Sequence, residues 1–379
     1  MRRTGFAFHE RLLWHDAGPA ASVIPSGGMV EPGPHAESPE RVRRIRNLVE
    51  VSGLGEQLVA LRPREATTAE LLRLHTQPYL DRVKALSDGR GGDAGYYAPV
   101  GPSSYEIAAL AVGACLVAVD AVVAGEVENA YALVRPPGHH ALAGTGIGGC
   151  IFGNVALAAL HARAVHGIGR IAIIDWDAHH GNGTQAAFYD DPTVLTVSLH
   201  QAGCFPPDSG RIDELGDGAG RGANINIPLP PGSGTGAFDA AFERVVVPAL
   251  DAHRPELVLI ACGFDSSAWD PHARLMLHSA AYRRLTQALL GVAERHARGR
   301  LVAVHEGGYA PGYTPFCGLA VLEELSGIAT GVEDPFLPIF LGYGYQDLQP
   351  QQEAVIDAVA AALDAEPGIN VTEPHAPRR

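Results

Sequence analysis

Asp175, Asp177 and His179 fall at alternate positions in the stretch IAIIDWDAHHGNGTQ, which runs from Ile171 to Gln185. Alternate residues of a strand point to the same face, so two carboxylates and an imidazole should converge at one end of a sheet. Such a donor set makes a metal site. The Ile-rich run ahead of it reads as a buried strand. Acids desolvated there are expensive unless a cation or hydrogen bonds compensate.

Three other segments carry matching chemistry. Arg135-Pro136-Pro137-Gly138-His139-His140 presents two consecutive histidines on a Pro-Gly turn, and Gly263-Phe264-Asp265 places a lone acid after an apolar run. Glu306-Gly307-Gly308-Tyr309 sets a tyrosine beside two glycines that let the backbone approach a ligand closely. Together these give Asp, His and Asp as three metal ligands, paired histidines for proton transfer, and a phenolic hydroxyl as an oxyanion donor. Amide hydrolysis needs this combination. Three protein ligands leave a position open for water, whose pKa a zinc ion lowers to about 7. A neighbouring histidine serves as base and then as acid towards the leaving amine. A preorganised donor to the oxyanion contributes roughly 3 kcal/mol in comparable sites.

The elements that must position these groups are legible as short β-branched runs alternating with helical patterns, the mark of parallel βαβ construction. Strands are expected at Tyr131 to Val134, Ile171 to Asp175, Val194 to Leu199, Leu257 to Cys262 and Leu301 to His305. Helices are expected around Asn154 to Val165, Gly236 to His253, Ser279 to Arg298 and Gln351 to Leu363, with a further apolar one near Tyr105 to Val123. The Arg41 to Arg46 stretch reads as the polar face of a helix opening at Ser38-Pro39-Glu40. Ser87 to Ser103 and Phe205 to Gly236 read as long loops, which in compact domains tend to be functional. In an open α/β sheet ligands bind outside the carboxyl ends of the strands, where the reactive side chains fall.

Composition sets the background. The chain has 379 residues, 46% of them apolar and 18% charged, with a formal net charge of -14. This suits one large globular domain, expected over residues 1–370 with a loose tail over 371–379. The acidic balance argues against nucleic acid as a partner. Cys115, Cys150, Cys204, Cys262 and Cys317 lie apart in apolar contexts, without the spacing of a disulfide framework or thiolate zinc site. A reducing cytoplasm fits. No signal-peptide pattern opens the chain, and Glu106 and Asp120 mark the Ala-rich Tyr105 to Val123 segment as a core helix rather than a membrane span.

RPPGHHA, DWDAHHGNGTQ, SLH followed by CFPPDSG, GFD and EGGY together resemble the histone deacetylase family, and most closely its bacterial class II-like amidohydrolases. Ser38-Pro39-Glu40-Arg41, Leu74-His75-Thr76 and Tyr79-Leu80 extend the resemblance over nearly the whole chain. It implies the arginase/deacetylase α/β fold, a single parallel sheet flanked by helices on both faces, and zinc-dependent removal of an acyl group from an amine such as acyl-lysine. By the same resemblance Asp177, His179 and Asp265 are the zinc ligands, and His140 is general base and acid, backed by Asn182. His139 leans on Asp175 and helps position the water, and Tyr309 polarises the scissile carbonyl. The family also implies potassium: one site from Asp175, Asp177, His179, Ser198 and Leu199, a second from Phe188, Asp191 and Val194. A homo-oligomer, dimer or tetramer, is expected because long loops in such enzymes pack across subunits.

Departures from the pattern bear on substrate. Gly149 stands where the family has an aromatic tunnel wall, while Phe205 matches the opposite aromatic. His272 follows Asp270-Pro271 in place of a Leu or Met, and Asp93 is the candidate rim acid. Gly149, Phe205, His272, Gly307 and Gly308 are therefore the expected substrate contacts, in a pocket wider and more polar than a histone-type tunnel. Gly149 has helix packing as its alternative reading, and His200 is open between a structural and a functional role. Among rival functions, a binuclear manganese ureohydrolase would carry a further carboxylate where Gly181 stands. A silent acyl-amine binder would not need the full acid, base and oxyanion set. An acetylpolyamine deacetylase uses the same chemistry on small cationic substrates.

Overall fold

Ile171 to Asp175 is buried at every position, as a strand covered by helices on both faces must be. In the computed structural model, which describes residues 1–366, it is one strand of an eight-stranded parallel sheet. The strands are β1 (Thr4–Ala7), β2 (Val59–Leu61), β3 (Asn129–Ala132), β4 (Ile171–Asp175), β5 (Val194–Gln201), β6 (Asn224–Leu229), β7 (Leu257–Cys262) and β8 (Leu301–His305). Their spatial order is β6-β5-β4-β7-β8-β3-β1-β2. The chain first builds β4, β5 and β6 outward, then returns to insert β7 and β8 between β4 and β3. Consequently the four strands that lead into reactive segments, β4, β7, β8 and β3, are consecutive neighbours.

Period-two alternation divides the core. Ile171 and Ile173 pack with Val119 and Ala159 from helices α2 (Ser104–Val123) and α3 (Asn154–His166), on one face of the sheet. Ala172 and Ile174 pack on the other with Ile45 of helix α1 (Glu40–Val51), Tyr282 and Leu285 of a helix at Ser279–His296, and Leu322 of another at Thr314–Ser326. Helix α2 is long and apolar enough to cross a membrane by length and composition, yet most of it is buried between α3 and the sheet. It is a core helix, as expected from its charges.

Several boundaries differ from the sequence reading. The first expected strand begins two residues earlier, at Asn129, and Leu133 and Val134 already lie beyond it. Phe205 to Gly236 is not one loop, since it contains β6, an edge strand paired with β5. Its asparagines, Asn224 and Asn226, are buried, and both amides donate to Gln185 Oε1 at 2.8 Å. A strand with polar side chains on one face and Pro228 inside it gives little apolar signal. Ser87 to Ser103 likewise holds short paired segments, Gly92–Asp93 with Pro99–Val100, and Gly95–Tyr96 with Gly146–Ile147. The proposed tail over 371–379 lies outside the described residues.

Candidate active site

β4 runs out at Asp175, and the chain turns so that Asp177 and His179 face the segment after β7. His179 Nδ1 lies 3.1 Å from Asp177 Oδ1 and 3.1 Å from Asp265 Oδ2. All three residues are buried. Each acid is oriented through its other oxygen: Gly307 N donates to Asp177 Oδ2 at 2.8 Å, and Ala178 N donates to Asp265 Oδ1 at 2.6 Å. Two carboxylate oxygens and one ring nitrogen thus converge, and one N–H cannot serve both acids well. Burial and the neighbouring Asp177 push Asp265 up to about 6. Such a set of hard and borderline donors, held by outer hydrogen bonds, fits a divalent cation. The glycines make the approach possible, because a Cβ at Gly263 or Gly307 would fall 2.1 Å from Asp177 Oδ2 or 2.0 Å from Asp265 Oδ2.

The turn after β3 brings His139 and His140 beside this cluster with ring centroids 3.9 Å apart. Their hydrogen-bond partners differ. His139 Nδ1 lies 2.9 Å from Asp175 Oδ2, while His140 Nδ1 lies 2.8 Å from Asn182 Oδ1, at the start of helix α4 (Asn182–Phe188). Burial disfavours the charge on His139, but Asp177 and Asp175 outweigh it and raise the group to about 10. Burial, reinforced by His139 and His179, holds His140 well below the usual histidine range. Gly181 is required here for a reason the sequence concealed: a Cβ would lie 2.3 Å from Asp175 Oδ2.

Glu306, buried at the end of β8, fixes the histidine turn by accepting from Gly138 N at 2.6 Å and His139 N at 3.1 Å. Tyr309 follows, its backbone N donating to Asp270 Oδ2 at 2.6 Å. The Arg41 guanidinium lies 4.8 Å from the Tyr309 ring centroid. Arg41 departs from the polar helix face expected over Arg41 to Arg46, since it is 1% exposed. It bonds Glu37 and donates to the carbonyl of Gly308 at 2.9 Å and to that of Glu306. Glu37 is also paired with Arg135.

A cavity of ≈ 260 Å³ opens over these groups, lined among others by His140, His179, Phe205, His272 and Tyr309. Phe205 meets the His140 ring edge-on at 5.1 Å. The wall at Gly149 lacks its own ring, as expected, yet aromatic lining is not lost there. Gly148 N and Gly149 N donate to the carbonyls of Tyr96 and Tyr97 at 2.9 and 2.7 Å, and both tyrosines line the cavity, Tyr96 stacked on Phe205. Gly149 is a turn residue at φ +79° rather than a helix-packing one, and a Cβ there would meet Glu37 Cγ at 3.5 Å. Tyr96, Tyr97, Glu37, Arg41 and Glu306 were not assigned to the site from sequence. Only their approach across distant segments reveals them.

Other expected residues are placed as follows. Asp175 pairs in register with Ser198 across β4 and β5, with Leu199 next along the strand. Asp191 lies in the tight turn between Phe188, which ends α4, and Val194, which opens β5, and its N donates to Phe188 O at 3.0 Å. Gly307 abuts the two acids, and Gly308 adopts φ +118° against Phe264. Asp93 is exposed and caps its own loop through Gly95 N and Ala98 N. His200 is structural, bridging Ser198 Oγ at 2.9 Å and Gly210 O at 3.0 Å. Outside the site, His161 and His166 both pair with Asp120 Oδ1 at 2.6 Å. Arg73 lies 2.9 Å from the other nitrogen of His161, so that cluster is satisfied by protons.

The fold and site define an amide-hydrolysing enzyme built on a parallel sheet flanked by helices, its reactive groups gathered at the carboxyl ends of adjacent strands. The chain belongs to the histone deacetylase family, whose domain model matches residues 35–325. It is 53% identical to a histone deacetylase-like amidohydrolase of Pseudomonas aeruginosa, over 88% of this chain and 89% of that one. It is 38% identical to the human polyamine deacetylase HDAC10, over 81% of this chain and 45% of that protein. The solved HDA15 HD domain superposes with a TM-score of 0.80 at 31% identity, covering 96% of each chain.

Proposed function

We propose that this chain hydrolyses acyl-amine bonds, with acyl-lysine as the leading substrate class, through a single zinc ion held by Asp177, His179 and Asp265. The observation that carries this reading is the convergence of those three buried donors beneath a cavity that His140 and Tyr309 also line. When bound, the metal supplies Lewis-acid polarisation and a more acidic water. His140, kept neutral by burial and backed by Asn182, takes the proton from the attacking water and returns it to the leaving nitrogen. His139, paired with Asp175, helps position that water. Tyr309 donates its hydroxyl to the carbonyl oxygen as that oxygen becomes an oxyanion. Potassium ions at Asp175, Asp177, His179, Ser198 and Leu199, the latter four mostly or partly through backbone oxygens, and at Phe188, Asp191 and Val194, would brace the strand ends behind the site.

The acyl group accepted is acetyl or bulkier. Gly149 leaves room beside Glu37, and the lining of His35, Glu37, Tyr97 and His272 is more polar than an all-aromatic tunnel. An acetylpolyamine is the second reading, favoured by the activity in the human relative's name. Turnover of acetyl-, trifluoroacetyl- and longer acyl-lysine reporters beside acetylputrescine separates the two, with metal analysis on the same preparation. The absence of disulfides among the five cysteines suits a cytoplasmic, reducing setting. A homo-oligomer is proposed on the loop argument, to be measured by light scattering.

A further inference from the structure

Ser22 is a non-glycine residue in left-handed backbone conformation, at φ 62°. Such a residue costs about 1 kcal/mol or more and persists where its surroundings require it. It sits at the turn of the N-terminal hairpin, between Pro19–Ala21 and Ile24–Pro25. Its carbonyl accepts from Ala36 N at 2.8 Å. Its hydroxyl is directed across the molecule to His272, with Oγ and Nε2 3.2 Å apart.

His272 is fixed from several sides. Its backbone N donates to Asp270 Oδ1 at 2.8 Å, while the other oxygen of Asp270 accepts from Tyr309 N. Its ring meets the Tyr309 ring edge-on at 4.7 Å. The residues after Ser22, Val23 and Ile24, line the same cavity as His272 and Tyr309. We infer that the Ser22–His272 contact is a latch that holds the hairpin against the cavity, so that Val23, Ile24 and His272 form one substrate-selecting wall. Ser22 is a positioning residue acting through His272, and the inference rests on the proposed acyl-amine hydrolysis. The latch sets binding of the substrate chain rather than the chemical step, because neither residue supplies a proton to the reacting bond.

Ser22→Ala and His272→Leu test this, each removing one half of the pair, with Leu keeping apolar contact to Tyr309. With an acetyl-lysine peptide each variant raises KM about five-fold while kcat stays within about two-fold, the signature of lost uniform binding. The double variant raises KM no further. His272→Gln, whose amide can still reach Ser22, raises KM less than His272→Leu does. Amide hydrogen exchange over residues 19–36 speeds up in Ser22→Ala and His272→Leu but not in His272→Gln. Additive effects on KM, or exchange over 19–36 unchanged in both single variants, overturns the latch. If the parent hydrolyses no acyl-amine, the functional reading fails by itself, and the exchange data then decide the latch.

Discussion

His139 Nδ1 lies 2.9 Å from Asp175 Oδ2, a carboxylate contact that its neighbour His140 does not share. His140 is backed instead by the neutral amide of Asn182. Burial lowers both imidazoles, but Asp177 and Asp175 raise His139 while His139 and His179 hold His140 down, and environments that separate such groups separate their roles. In the proposed reaction His140 is the group that takes the proton, and His139, held by Asp175, helps position the water.

The first prediction follows from that division. His140→Ala lowers kcat by about a hundred-fold or more, the scale of a lost general acid/base group. Tyr309→Phe lowers kcat by a similar factor through the lost oxyanion donor, with KM little changed. Steady-state kinetics on an acetyl-lysine reporter measures both, and circular dichroism shows the fold intact. Full activity in both variants would sink the assigned chemistry.

Metal removal gives a second. Dialysis against a chelator abolishes hydrolysis, and added zinc restores it. Because a ligand bound to the folded state alone stabilises it, by about 2.7 kcal/mol at a hundred-fold excess over Kd, the stripped protein melts earlier. Asp265→Ala prevents stoichiometric binding in elemental analysis and shows no zinc-dependent rise in Tm.

Gly148 and Gly149 separate packing from selectivity. A Cβ at Gly148 would lie 2.7 Å from Phe205 and 2.8 Å from His140, so Gly148→Ala displaces the base and costs at least about ten-fold in kcat/KM, a misplacement effect. A Cβ at Gly149 would make only ordinary contact with Glu37, at 3.5 Å. Gly149→Phe, strained by the positive φ, loses turnover of long acyl-lysine reporters while keeping part of the acetyl activity. A parent enzyme strictly limited to acetyl, and a loss of that limit in Gly149→Phe, would contradict the wide pocket.

Glu37 supplies a pH dependence. Burial opposes its charge, but Arg135 and Arg41 prevail and hold it at about 2 against an ordinary 4.5. With the folded value depressed, its stabilisation is complete above 4.5 and is lost as pH falls through about 2. Glu37→Gln leaves two buried guanidinium groups uncompensated and costs about 3 kcal/mol at neutral pH. Urea unfolding at a series of pH values should show the gap between parent and variant closing as pH falls below 4.5.

The reactive residues of β4, β7 and β8 were legible because each ends a buried apolar strand, and a strand of parallel α/β type announces its own carboxyl end. Asp177, His179, Asp265 and Tyr309 lie within four residues of such an end, and His139 and His140 follow on the Pro-Gly turn after β3, so local pattern placed them. Edge strand β6 was not legible, since buried asparagines satisfied by Gln185 carry no apolar alternation.

Tertiary structure alone decided what stands behind and around those residues. The strand order that makes β4, β7, β8 and β3 neighbours depends on pairings between residues 43, 86 and 172 positions apart in sequence. No local periodicity encodes it. The same holds for Arg41, which reads as a charged helix face until its guanidinium is seen over Tyr309, and for Tyr96 and Tyr97, which return aromatic lining beside Gly149. Burial and charge pairing are properties of the assembled chain: they hold His139 and His140 apart, while the sequence by itself determined only that two histidines would stand side by side.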